Sequence, residues 1–171
     1  MTAAAVESDA PFPGLLVLHI RRGDFKDHCH HLANWSSEWN GFNSFPEFID
    51  KFSRPSGGGW GVTTPANTAL YLKHCFPTVE QIVDKVMEVR NVSEGLKNVY
   101  VMTNGGLSWV NELKTALRKA HNWDQIASSS DLKLSREQKY VAQTVDMMIG
   151  QRAHVFIGNG VSVPLFIIGW I

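Results

Sequence analysis

Residues 14–20, Gly-Leu-Leu-Val-Leu-His-Ile, form an apolar run of strand length that stops at Arg21-Arg22-Gly23-Asp24. Leu15, Leu16, Val17 and Leu18 do not alternate with polar residues, so a strand built from them suits burial on both faces. That pattern points to a parallel sheet with helices on either side. The ending of the run is as informative as its interior. Each arginine carries a permanent charge on a planar fork of donors that matches phosphate oxygens in pairs. Gly23 lets the backbone turn sharply and lie close to a ligand, and ligands of open α/β sheets collect beyond the carboxyl ends of the strands. The same residues would also suit a surface turn with two solvated arginines and Asp24 as a weak partner.

The rest of the chain repeats the strand, glycine turn and helix order. Thr78 is an N-cap candidate, and Val79, Ile82, Val83, Val86 and Val89 recur at helical spacing, with Glu80 early and Arg90 late. This predicts a helix ending near Asn91. Residues 99–102 read as a strand closing on Thr103-Asn104-Gly105-Gly106, and Trp109, Leu113, Ala116 and Leu117 mark a second amphipathic helix. Residues 125–128 give a third strand. Ser135 with Gln138 forms a capping box ahead of a third helix marked by Val141, Val145, Met148 and Ile149, and residues 153–158 form the last strand.

The predicted architecture is therefore α/β, a Rossmann-like doubly wound parallel sheet of nucleotide-binding type. A single domain spans residues 14–171 after a flexible segment at 1–13. Between about 25 and 76 the pattern is irregular and aromatic, with Trp35, Trp39, Phe42, Phe45, Phe48, Phe52 and Trp60 and a Pro-Ser-Gly-Gly-Gly breaker at 55–59. A long insertion is expected there, with one short helix near 45–52. The last residues, 163–171, are apolar and too short to span a bilayer. They read as a helix or strand cut off, whose exposure would favour self-association.

Composition narrows the partners. At 171 residues and 44% hydrophobic content the chain can bury one sizeable core. Lys+Arg and Asp+Glu balance at 16 each, so no global field draws nucleic acid or an anionic membrane, and an anion site must be local. Residues 1–9 are small and polar with two acids, Glu7 and Asp9, which is not a signal peptide as it stands. The chain is cytosolic or an upstream segment is missing. Cys29 and Cys75 are two buried thiols or one bridge, according to compartment. Asn34-Trp35-Ser36 and Asn91-Val92-Ser93 are glycosylation-type triplets compatible with a lumenal history.

Three strand ends supply the candidate site: residues 19–25, residues 103–106, and Gly158-Asn159-Gly160-Val161-Ser162. Glycines there free the backbone to approach a ligand, and Ser162 could cap a helix whose unpaired N–H groups favour phosphate. A single such turn is usually an ordinary strand-to-helix connection; its combination with Arg21 is what points to an anion. Asp146, between Val145 and Met147, either hydrogen-bonds a base or ribose or sits on the wet side of its helix. The run His28-Cys29-His30-His31 contains good zinc ligands, but adjacent ligands rarely point at one ion, and no metal site is expected. His19 is either a catalytic residue or a hydrogen-bonded structural histidine, and the residues favour the structural role.

Three stretches, LHIRRGDF at 18–25, VYVMTN at 99–104 and VDMMIGQRAHVFIGNGVS at 145–162, together resemble the GDP-fucose-dependent fucosyltransferases of the protein O-fucosyltransferase type and their fungal relatives. The resemblance covers roughly residues 14–162 and corresponds to the C-terminal, donor-binding half of a two-domain GT-B enzyme. It implies transfer of fucose from GDP-fucose to a protein or glycan acceptor hydroxyl, by an inverting mechanism without a metal or other cofactor. By match, Arg21 would contact the donor's β-phosphate and stabilise charge on the departing diphosphate. His19 would shape the same strand end, and His19, Arg22 and Asp24 would take part in binding the substrate there. Gly158, Asn159, Gly160 and Ser162 would bind phosphate, Asp146 would face the guanosine, and Asn104 would lie near the nucleotide. An ER, Golgi or secretory location is implied too. Relatives take the acceptor surface and a general base largely from an N-terminal half, and continue past the serine with a second hydroxyl residue where this chain has Val163-Pro164. A truncated donor-binding domain is therefore expected, and the alternative is a non-catalytic nucleotide- or protein-binding module derived from the fold.

Overall fold

The computed structural model describes residues 10–37 and 52–159. Four strands, β1 (Leu15–Ile20), β2 (Asn98–Thr103), β3 (Gln125–Ser128) and β4 (Val155–Gly158), form one sheet in the order β3-β2-β1-β4. Every pairing is parallel, and the register sets His19 beside Met102 on one flank and Gly158 on the other. The fully apolar run thus takes an interior position between β2 and β4, as two-sided burial requires.

Side-chain alternation along β1 divides the core in two. Leu16, Leu18 and Ile20 pack with Val99, Val101 and Ile126 against Ile82 and Val86 of α3 (Val79–Val92) and Leu113 and Leu117 of α4 (Leu107–Ala120). On the opposite face Val17, Tyr100 and Met102 meet Ala153, Phe156 and Ile149, the last from α5 (Ala142–Gln151). Leu16 and Leu18 are wholly buried, which is worth about 1.5–3 kcal/mol each relative to exposure. The architecture is the α/β, parallel, doubly wound arrangement expected.

Local chemistry starts the helices. Thr78 Oγ1 accepts from Gln81 N at 3.2 Å while Gln81 Oε1 accepts from Thr78 N at 2.9 Å, a complete capping box. The box between Ser135 and Gln138 is also present, at 2.8 and 3.3 Å. It opens one 3-10 turn, Gln138–Val141, and α5 follows. Val141 and Met148, expected on the buried stripe of that helix, are exposed.

Residues 25–76 depart from the irregular insertion expected. They contain α1 (Phe25–Asn34) and α2 (Pro65–Cys75). In α2, Thr64 Oγ1 accepts from Asn67 N at 3.1 Å and Pro65 occupies the first turn, where its missing N–H costs nothing. A disulfide joins the two helices through Cys29 and Cys75, both wholly buried, with Cα atoms 5.7 Å apart. Residues 45–51 of the short helix expected there lie outside the described residues, as do the segments at 1–9 and 160–171. Among the described residues no helix is long and apolar enough to cross a membrane, and no three His, Cys, Asp or Glu side chains cluster in a way that could hold a metal.

Candidate active site at the strand ends

Parallel strands end on one edge, so the sheet itself brings residues 19–24, 103–106 and 158–159 together. Asn159 ties this edge. Its Oδ1 accepts from Arg21 N at 3.4 Å, and its Nδ2 donates to the carbonyls of Arg21 at 3.3 Å and Cys75 at 2.8 Å. Asn104 Oδ1 accepts from Arg22 N at 2.8 Å. Thr103 Oγ1 donates to Ile20 O at 2.6 Å and accepts from Gly105 N at 3.0 Å. The turn after β1 is therefore fixed by the ends of β2 and β4 before any ligand arrives, which is how a rigid scaffold preorganises a site.

The two arginines have different surroundings. Arg22 is held inward, with its guanidinium 3.8 Å from the Phe76 ring centroid, 4.6 Å from that of Trp109, and donating to Pro77 O at 2.8 Å. Burial pulls its pKa down, opposed by the charge of Glu112. Its contacts make it a clamp between the β1 turn, the segment before α3 and the start of α4. The Arg21 guanidinium lies at the surface, 4.9 Å from the Phe25 ring centroid and 3.7 Å from the Asp24 carboxylate. Both members of that ion pair are well exposed, 47% and 79%, so the pair is weak and its cation open to a competing anion.

On the α5 side of the edge lies a chain of polar groups. Tyr100 Oη and Ser129 Oγ donate to the two carboxylate oxygens of Asp146, at 2.6 and 2.8 Å. Ser129 Oγ in turn accepts from Thr103 N at 3.2 Å. Asp146 is thus a partly buried acceptor braced from β2 and from the turn after β3. Burial, then the hydrogen bond to Asp146, raise the Tyr100 pKa, keeping the phenol a donor. Desolvation lowers the His19 pKa, opposed by the charge of Asp146 and assisted by that of Arg21, which favours the uncharged imidazole.

Among the candidates, His19, Arg21, Arg22, Asp24, Asn104, Gly158 and Asn159 gather at one edge, with Asp146 braced beneath it. Gly160 and Ser162 lie outside the described residues. Tyr100 and Ser129, which brace Asp146, and Phe76 and Trp109, which hold Arg22, were not among the candidates, whereas Thr103 belongs to the expected strand end at 103–106. A hydroxyl directly after β3, in Ser128-Ser129-Ser130, was the available signal for Ser129. Cys29 does not offer a thiolate, because its sulfur is bonded to Cys75.

Gly23 has φ +45°, and a Cβ built there would stand 2.8 Å from Asn104 Nδ2. Gly23→Ala should therefore lower stability by about 1–3 kcal/mol, the usual range for a strained backbone position. Denaturant unfolding checks this, and an unchanged midpoint would show that the Arg22–Asn104 contact does not fix the turn.

A family model described as GDP-fucose protein O-fucosyltransferase matches residues 9–168. The crystal structure of POFUT1 in complex with GDP-fucose aligns with 90% of this chain at 17% identity and a TM-score of 0.47. The alignment covers 36% of that chain, so the present chain spans about a third of its length. No curated protein matches significantly.

Proposed function

The chain belongs to the GDP-fucose protein O-fucosyltransferase family, and from that premise and its strand-end geometry we propose that it is a fucosyltransferase-like domain binding GDP-fucose. The observation that carries this reading is the division of labour between adjacent arginines. Arg22 braces the turn from within, and Arg21 is left with an accessible fork beside a fixed backbone. A diphosphate meets both needs of that fork, two oxygens in one plane and a negative charge.

In the proposed reaction the bond between the sugar's anomeric carbon and the diphosphate oxygen breaks, and negative charge grows on the leaving diphosphate. Arg21 binds that group at its β-phosphate, exchanging its weak pairing with Asp24 for a stronger one as the charge develops. His19, half-buried beside Gly158 and with its charged form disfavoured by desolvation, borders the same turn. Asp146 suits guanine because the base presents adjacent N–H donors to a carboxylate whose oxygens are already oriented by Tyr100 and Ser129. No metal or cofactor is part of this proposal. The acceptor hydroxyl, a protein or glycan group, approaches the anomeric carbon opposite the leaving diphosphate.

Calorimetric titration of the folded chain with GDP and with GDP-fucose tests the reading. Saturable binding of both is expected, and a folded chain that binds neither would overturn it.

A further inference from the structure

Two features of the chain have no part in nucleotide binding: the triplets Asn34-Trp35-Ser36 and Asn91-Val92-Ser93. We infer that Asn34 and Asn91 are N-glycosylation acceptors, each at the end of its helix remote from the strand-end site. The assignment of the two asparagines does not rest on the nucleotide reading; only the test of their placement away from the site does.

Four observations carry it. Both triplets have the acceptor pattern with a residue other than proline in the middle. Both asparagines are exposed, Asn34 as the last residue of α1 and Asn91 as the penultimate residue of α3. The middle residue of each is a solvent-exposed apolar side chain, Trp35 at 43% and Val92 at 66%. Trp35 also stacks edge-on against Trp60, itself 90% exposed, with centroids 5.8 Å apart. That pair gives an aromatic surface beside Asn34 on which the C–H face of a linked N-acetylglucosamine can pack. Finally, the buried Cys29–Cys75 bridge is a bond that persists in oxidising compartments, where N-glycosylation takes place.

Helix direction places the glycans away from the donor site. Phe25, which starts α1, touches Arg21, and Pro77, just before α3, accepts from Arg22. The asparagines stand at the other ends, about 15 Å along α1 and about 20 Å along α3 at 1.5 Å per residue. The modification forms a bond from each asparagine Nδ2 to the anomeric carbon of an N-acetylglucosamine. That carbon's bond to a polyprenyl diphosphate, the co-reactant, breaks; the diphosphate leaves with the electron pair, and the amide proton passes to a base of the lumenal transferase. Ser36 is buried in the folded chain, so transfer at Asn34 precedes closure of that turn.

The test directs the full chain into the lumen of a eukaryotic secretory pathway behind a cleavable leader. Its peptides are mapped by mass spectrometry after peptide-N-glycosidase treatment, which leaves aspartate where a glycan was attached. Aspartate is expected at positions 34 and 91, with Ser36→Ala and Ser93→Ala each reducing occupancy to background at its own triplet alone. Because transfer acts on the emerging chain, a variant that then fails to fold still reports. An unmodified asparagine at either position in the lumenal chain would overturn the assignment there. Glycosylated chain that binds GDP more weakly than enzymatically deglycosylated chain would overturn the placement away from the site.

Discussion

Arg21→Ala is expected to weaken binding of GDP and GDP-fucose by about 100- to 20,000-fold while leaving thermal stability unchanged. The magnitude follows from the contact proposed. A hydrogen bond to a charged group contributes about 1.5–3 kcal/mol, a paired arginine–phosphate contact makes two, and each 1.4 kcal/mol is tenfold in affinity. Stability should hold because the side chain is half exposed and its ion pair with exposed Asp24 at 3.7 Å is of the weak surface kind. Arg22→Ala makes the contrasting control. It removes the stacking on Phe76 and Trp109 and the bond to Pro77 O, so it should lower the unfolding midpoint, and its effect on affinity should follow from the loosened turn. Arg21→Lys keeps charge without the fork and should fall between wild type and alanine. Calorimetry and thermal unfolding on the same preparations separate these outcomes. Wild-type affinity in Arg21→Ala would sink the assignment of Arg21 to the diphosphate.

The strand ends were legible in the sequence because their determinants are local. A two-sided apolar run identifies β1, valines at helical spacing identify α3, and Thr78 as an N-cap candidate marks its start. What stayed hidden depends on partners distant along the chain. Nothing in Arg21-Arg22 says which fork faces outward; the answer lies with Phe76, Pro77 and Trp109, which two other elements bring alongside Arg22. Asp146 was equally ambiguous, because the groups that orient its carboxylate, Tyr100 of β2 and Ser129 after β3, are distant along the chain. The helices α1 and α2 were missed for another reason. Phe25, Cys29, Leu32 and Ala33 do recur at helical spacing, as do Asn67, Tyr71 and Cys75, but histidines and other polar residues dilute both stripes. Their burial comes from each other and from a covalent bridge, neither of which produces a strong hydrophobic period.

That bridge supports the second large prediction. Replacing Cys29 and Cys75 together by alanine should lower the free energy of unfolding by about 2–4 kcal/mol, since cross-linking positions 46 residues apart removes much of the unfolded chain's freedom. The denaturant dependence should steepen as well, because an unfolded chain without the link exposes more surface. The effect on the site should be larger than on the sheet. The two apolar clusters over the sheet are built from β1–β4, α3, α4 and α5, whereas Cys29, Ala33, Tyr71 and Cys75 are buried within the α1–α2 pair. Without the bridge, that pair is free to open as a local unit while the sheet persists. Arg21 stands four residues before α1 and is held through Asn159, whose Nδ2 also binds Cys75 O. Opening α1 and α2 therefore loosens the Arg21 turn on its α1 side and removes the Cys75 bond that helps to hold Asn159. Amide exchange should rise in 25–34 and 65–75 ahead of β1 and β2, and GDP affinity should fall in the same variant. Exchange rising uniformly across the sheet would instead mean that the bridge supports one cooperative unit, and affinity would then follow global stability alone.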